Sequence, residues 1–340
     1  MKSKKPKLVC VDETFLNDQS YHHMPLFQQY FNVSEFDSTQ IYDSNTTFMY
    51  RTDKSRAKLE KYEGVSKFIA DCVWEPYFFC SADFDENTMG LLNRPGLNKH
   101  SRILTVPKFL WFETHFSQQH NRSSINDLPF AHSKTKSFLL QMGDARPYRV
   151  TLYNALKNKN LLDNAVYSFL EYGIGLERNF PKADYDPNNP PFFEMAYRPD
   201  WYNSTQFTLV AENTLQDDDG TDQAYHKMIQ NDGSAFITEK TMKPIMNGHP
   251  FIILGDKGIC DTLESWGFYT FPELFDPEFN NEPDLDRRIG MIVEQVAKYQ
   301  HKDVKDKVIH NFNRFWDRGL VEQLMINEMI KPILDFTTAK

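Results

Sequence analysis

The sequence predicts an α/β protein of two domains, each built on a parallel sheet, and three observations carry that expectation. The chain has 340 residues, more than one hydrophobic core ordinarily organises. Short apolar runs at 8–11, 137–140 and 250–254 are bounded by turn residues, as strands buried on both faces are. Between residues 137 and 275 such runs alternate with helical spacing, the pattern of strand–helix–strand units.

Composition narrows the class. Hydrophobic residues at 40% and charged residues at 25% are globular values, and 28 Phe with 16 Tyr predict ring-rich cores. A formal net charge of -9 argues against a protein that coats nucleic acid, though not against a local basic groove. Cys10, Cys72, Cys80 and Cys260 show no CxxC spacing and read as buried thiols of a reducing compartment, with Cys260 in the core. No apolar run approaches the ~20 residues that span a bilayer. The basic start, Met1-Lys-Ser-Lys-Lys-Pro-Lys, runs into a short strand rather than a signal peptide, so a cytoplasmic protein without membrane attachment is expected.

Along the chain, 8–11 reads as a strand with Asp12-Glu13-Thr14 at its carboxyl end, where open sheets place ligands. Residues 66–74 read as a helix end or a strand, and 102–106 as a strand. Lys108-Phe-Leu-Trp-Phe-Glu-Thr-His115 is aromatic and β-prone. The polar stretch 118–133 reads as a linker, which sets an N-terminal domain at 1–132 and a C-terminal domain at 133–300. Helices over 301–340 follow, free to cross back to the first domain. Within the second domain, 137–142 is a strand, 143–147 a turn and 148–157 a helix. The strand 207–211 ends at Glu212-Asn213, and 214–234 is an acidic loop. Phe236-Ile-Thr-Glu-Lys240 opens a helix that Gly248 closes, with Pro244 expected to kink or start it. A strand at 250–255, a helix at 258–266 closed by Gly267, and amphipathic helices at 285–299 and 304–329 complete the chain.

The chemistry concentrates in two segments, Phe207-Thr-Leu-Val-Ala-Glu-Asn and Phe236-Ile-Thr-Glu-Lys. A helix N-terminus offers N–H groups and a positive dipole end that suit a diphosphate. Lys240 in that first turn adds a cation, and the Glu239 carboxylate accepts hydrogen bonds from a ribose diol. Asp217, Asp218 and Asp219 invite a divalent ion, but an acidic loop run is ordinarily solvated, so no metal ligand is assigned and no cofactor is required. Lys243 reads as a solvated helix residue.

These segments resemble the family-10 glycosyltransferases of the α1,3-fucosyltransferase type. Phe207, Leu209, Glu212 and Asn213 match that family's Phe-x-Leu-x-x-Glu-Asn-Ser strand. Phe236, Thr238, Glu239 and Lys240 match its Tyr-Val-Thr-Glu-Lys, and Gly248, Pro250 and Gly255 match the following Gly-x-x-Pro-Val-x-x-Gly. The resemblance implies the GT-B fold, two Rossmann-like domains facing across a cleft, and a nucleotide-sugar donor in the second. It implies that Lys240 meets the diphosphate, Glu239 the ribose, and Glu212 with Asn213 the sugar side. Further upstream it implies Arg149 on the diphosphate, with Arg146 as its rival, and Glu113 as the general base, with His115 as runner-up. Transfer to a hydroxyl with inversion follows from the same likeness.

The spacer from Asn213 to Thr238 is longer than in that family, so the sugar and the base stay open. Glu239-Lys-Thr-Met-Lys-Pro-Ile and His249-Pro-Phe-Ile-Ile-Leu-Gly are also similar to segments of glycosyltransferases from large DNA phages. The acceptor is therefore either a glycan or a hydroxymethylated pyrimidine of phage DNA. A different class, an inactive GT-B module that binds a nucleotide or glycan, stays in view, as does any oligomeric state.

Overall fold

The computed structural model describes residues 5–10, 24–35, 46–50, 67–71, 77–79, 104–106, 108–118, 124–128, 134–143, 145–169, 172–174, 199–212, 235 and 237–338. The fold is mixed α/β, and backbone proximity divides the chain into two compact units, Met1–Gln119 with Arg318–Lys340, and His120–Asp317.

The first unit contains β1 (Lys7–Cys10), α1 (Met24–Tyr30), β2 (Asn32–Glu35), β3 (Thr46–Tyr50), β4 (Lys67–Asp71), β5 (Tyr77–Phe79), β6 (Leu104–Val106) and α2 (Phe109–Ser117). Its six strands lie in the order β2-β1-β3-β4-β5-β6. The first four are mutually parallel, but β5 runs antiparallel to both β4 and β6. A wholly parallel sheet was expected here, and the reason for the difference is covalent. Only five residues separate Asp71 from Tyr77, whereas a parallel crossover needs a dozen or more.

The stretch expected to be β-prone, 108–115, lies in the helix α2 from Phe109 onward. Trp111, Phe112, His115 and Phe116 recur at helical spacing and are all buried. β-propensity expresses how well a ring fits a half-buried pleat, so a helix that buries the same rings competes with it directly. The buried face of α2 is shared with the end of the chain, where the helices α9 (Arg318–Met325) and α10 (Lys331–Thr338) flank a π turn, Ile326–Ile330. Met325, Met329, Ile330 and Ile333 supply the apolar side, and Lys108 pairs with Glu328.

In the second unit, a 3-10 turn at Ile125–Asp127 precedes β7 (Lys136–Met142), α3 (Pro147–Asn158) and β8 (Ala165–Phe169). Then come α4 (Pro199–Ser204), β9 (Thr205–Ala211), α5 (Glu239–Met246), β10 (Phe251–Leu254), α6 (Ile259–Ser265), α7 (Leu285–Ala297) and α8 (Lys305–Trp316). Its four strands are all parallel, in the order β10-β9-β7-β8. Every residue of β10 is buried, which is why its sequence is a continuous apolar run instead of an alternation. Helix α3 starts with Pro147, whose missing N–H costs nothing in a first turn, and buries Tyr148, Arg149, Leu152, Tyr153 and Leu156 as one stripe. Helix α5 begins at Glu239 and carries Pro244 in its interior, not at its start. Nearly every side of it is buried, so packing against α8 and a bond from Trp316 Nε1 to the Met246 carbonyl (3.2 Å) hold a helix that propensity disfavours. The long helix expected over 304–329 is interrupted at Asp317, whose extended backbone (φ -72°, ψ 93°) separates α8 from α9. An aspartate suits the residue before a helix, and no Gly or Pro at 317 announces the break. No described helix is long and apolar enough to cross a membrane.

Gly248 follows the C-cap of α5 with φ +62°, and a Cβ there would lie 2.5 Å from Leu128 Cδ2. A methyl group added at Gly290, exposed in α7, would meet nothing within 4 Å. We expect Gly248→Ala to lower unfolding free energy by about 2 kcal/mol and Gly290→Ala to raise it by about 1 kcal/mol, both read from urea denaturation midpoints.

Candidate functional site

The strand order creates a crevice. From β7 the chain passes to β8 on one side and then crosses to β9 on the other, so the connections leaving β7 and β9 diverge at the carboxyl edge of the sheet. Open α/β sheets bind ligands at such a switch point. Helix α3 starts after β7 and α5 follows β9, which brings two helix N-termini, each a positive dipole end, to that edge.

Glu212, the residue after β9, is fully buried. Its Oε1 accepts the Thr238 backbone N–H at 2.6 Å, and its Oε2 lies 3.0 Å from Thr241 Oγ1. Its backbone is tied in turn to both neighbours. The Tyr148 hydroxyl donates to the Glu212 carbonyl, and the Glu212 N–H donates to the Leu254 carbonyl of β10 at 2.8 Å. Gly255 lies close beside it, where a Cβ would come within 3.2 Å of Glu212 Cβ and 2.6 Å of Ile259 Cδ1. A single carboxylic side chain thus joins the end of the sheet to the first turn of α5.

That first turn carries Thr238, Glu239 and Lys240. Thr238 is the N-cap, its hydroxyl accepting the Lys240 N–H at 3.3 Å. Glu239 is 1% exposed and its Oε1 accepts from Lys240 Nζ at 2.7 Å, while the lysine side chain stays 20% exposed. Arg149, in the first turn of α3, is buried, reaches the Ala211 carbonyl at 3.5 Å and lies 5.4 Å from the Tyr148 ring centroid.

The charges are coupled. Burial pushes the Glu212 carboxyl up to about 7, against the opposing pull of the Lys240 ammonium and with the help of the Glu239 carboxylate. Burial works to lower the Lys240 pKa, but Glu239 and Glu212 outweigh it and hold the ammonium above its ordinary value. Burial likewise raises the Tyr148 hydroxyl far above the ordinary phenol range. The result is a sheet edge with two cations, two carboxyls and two helix starts, able to hold a multiply charged anion on one side and to accept hydroxyl hydrogen bonds on the other.

Of the residues expected from sequence, Arg149, Glu212, Thr238, Glu239 and Lys240 come together here. Asn213, Phe236 and the run Asp217 to Asp219 lie outside the described residues. Glu113 lies within α2 of the other unit, and its side chain is outside what the structure describes. His115 is buried in the same helix with its ring edge-on to Phe116 at 5.2 Å. Arg146, the rival of Arg149, is the exposed N-cap residue of α3. Lys243, expected to be solvated, is buried at 9% exposure, because α5 is enclosed on nearly all sides. Sequence reasoning passed over Tyr148 and Thr241. Thr241 stands one turn after Thr238, and that spacing is its signal, whereas no pattern in the sequence marks Tyr148.

His249 also belongs to this sheet, at its opposite, amino edge. Its Nε2 donates to the Thr205 carbonyl at 2.9 Å, and Nδ1 lies 2.8 Å from Thr208 Oγ1, from which it accepts when the ring is neutral. Burial first, and Lys134 second, push its pKa down to about 3.

No protein-family model and no curated protein sequence matches the chain. Among solved structures, the crystal structure of an α1,3-fucosyltransferase with GDP-fucose is similar to it at a TM-score of 0.35 and 11% sequence identity, over 94% of this chain and 93% of that chain. A likeness of that degree carries no assignment of fold type or activity.

His249 supplies a pH test of the sheet. A folded pKa below the unfolded value means that the unfolded chain binds the extra proton, so this stability is complete above about pH 6.5 and is lost as pH falls toward 3. The stability gap between wild type and His249→Gln is therefore expected to narrow in acid, by up to about 1.4 kcal/mol per pH unit in that window, in denaturation series from pH 7 to 4.

Proposed function

We propose that the chain is a glycosyltransferase of the GT-B type that holds the diphosphate of a nucleotide sugar at the carboxyl edge of the four-stranded sheet. The observation that supports this reading is the meeting of Arg149 and Lys240 beside Glu239, at the starts of α3 and α5 and at the switch point of the sheet. In this reading Lys240 leaves Glu239 to bind the diphosphate, and the released Glu239 carboxylate accepts the ribose hydroxyls. Arg149, Lys240 and the helix starts then stabilise charge as it grows on the departing nucleoside diphosphate. These cations, rather than a divalent ion, carry the neutralisation. Glu113 is proposed to take the proton of the attacking acceptor hydroxyl, with the anomeric centre inverted. Asn213 and Phe236 belong to the same proposed donor site, on the strength of their motif alone.

The test is thermal unfolding with GDP, UDP, CMP, ADP and dTDP in the presence of EDTA, for wild type and Lys240→Ala. One nucleotide at a hundred times its Kd is expected to add ~2.7 kcal/mol to the wild type and nothing measurable to the variant. Stabilisation by none of the five, either in EDTA or with Mn²⁺ in its place, would overturn the donor-site reading, and a shift that requires Mn²⁺ would overturn its metal-free form.

A further inference from the structure

Glu212 is the most deeply enclosed acidic group at the site, and both of its oxygens are already engaged by the protein. Oε1 faces a backbone N–H, which can only donate, so Oε1 is always the acceptor. Oε2 faces the Thr241 hydroxyl, which can donate to a carboxylate or accept from a carboxylic acid. The clamp on α5 is therefore satisfied in either protonation state, and any proton resides on Oε2.

The surroundings decide which state is favoured. From α5, Glu212 faces the Glu239 carboxylate and the Lys240 ammonium. From α3, Tyr148 bonds its carbonyl, and Arg149 lies within electrostatic reach of both Tyr148 and Lys240. From the end of β10 it meets Gly255, which has no side chain, while the next ionisable group, Asp256, interacts with Arg288 of α7. Lys240 is thus the cation that chiefly favours the Glu212 carboxylate, and it is also a cation that an anionic ligand would neutralise.

We propose, building on the donor-site reading above, that Glu212 is a positioning residue of the phosphate site: as a neutral acid it holds the first turn of α5 through Thr238 and Thr241, and an anion bound at Lys240 and Arg149 is taken up together with a proton on Glu212 Oε2. This differs from the contact with the donor sugar that the family resemblance implies for this residue. A carboxylate there would repel the diphosphate from the interior side, and the proton removes that repulsion.

Glu212→Gln presents the same pattern permanently, an amide oxygen to Thr238 N–H and an NH₂ to Thr241 Oγ1. The first arm of the test needs no ligand. A folded pKa raised to about 7 means that the native state holds the proton, so this stability is complete below about 4.5 and is lost as pH rises to 7. Wild type should lose ground to Glu212→Gln over that interval, while His249 contributes equally to both proteins. A gap that does not change with pH overturns the proposal.

The second arm uses the nucleoside diphosphate giving the largest thermal shift, titrated calorimetrically from pH 7 to 9. Its terminal phosphate, with a second pKa of about 6, is already doubly ionised there. The wild-type Kd should rise with pH by as much as tenfold per unit, with proton uptake seen across buffers of different ionisation enthalpy, and Glu212→Gln should show neither. Equal pH slopes in the two proteins, or zero proton uptake by the wild type, would overturn it. The uptake measurement decides the matter even if Glu212→Gln does not fold. Failure of every nucleotide to bind would sink the donor-site reading, and the ligand-free arm would still decide whether Glu212 is held as a neutral acid.

Discussion

A carboxyl group withdrawn from water must find hydrogen-bond partners or give up its charge, and in this protein Glu212 finds them in Thr238 and Thr241. Its position at the end of β9 is dictated by strand pairing on both sides, since β9 lies between β7 and β10. Its side chain cannot reach solvent, so Thr238 and Thr241 must come to it, and they bring the start of α5 with them. Tyr148 does the same for α3 through the Glu212 carbonyl. Two helix N-termini are thereby set against one strand end. The absence of a side chain at Gly255 leaves the room this requires, because a Cβ there would crowd both Glu212 and Ile259.

The cations follow from that framework. Arg149 and Lys240 each sit in a first helical turn, where the dipole alone would disfavour a positive charge. They are tolerated because Glu239, Glu212 and the Ala211 carbonyl surround them. An arrangement in which cations are held at positive helix ends by nearby acceptors is preorganised for an anion, since the anion satisfies both the cations and the dipoles. His249 illustrates the contrary case. It is just as buried, but both ring nitrogens are occupied by Thr205 and Thr208 of β9, so its chemistry is used up in packing the start of that strand.

Much of the second unit could be read from its residues. Strand β10 is buried along its whole length, as are Phe138 to Leu140 of β7 and Phe207 to Ala211 of β9, and burial on both faces leaves a largely apolar run. Thr238 before Glu239 is a helix start written in side-chain chemistry, and Gly248 and Gly267 take the positive φ that helix ends favour. The first unit was less legible. Rings at 109–116 satisfy strand propensity and helical spacing alike, and it is the partner surface formed by Met325, Met329 and Ile330, more than two hundred residues away, that selects the helix. The break at Asp317 has the same origin, because each side of it packs within a different unit.

By itself the sequence determined which residue types stand at the start of α5 and, over 137–275, most of the strands and helices in their order. Both are local matters: the choice of Thr, Glu and Lys at a helix start, and the apolar periodicity of each segment. Only the tertiary structure decided that Lys243 is enclosed and that Glu212 faces Thr238 and Thr241 with both oxygens. Those outcomes depend on contacts between segments far apart in the chain, and burial, which sets the charge state of a carboxyl, exists only once the segments have packed.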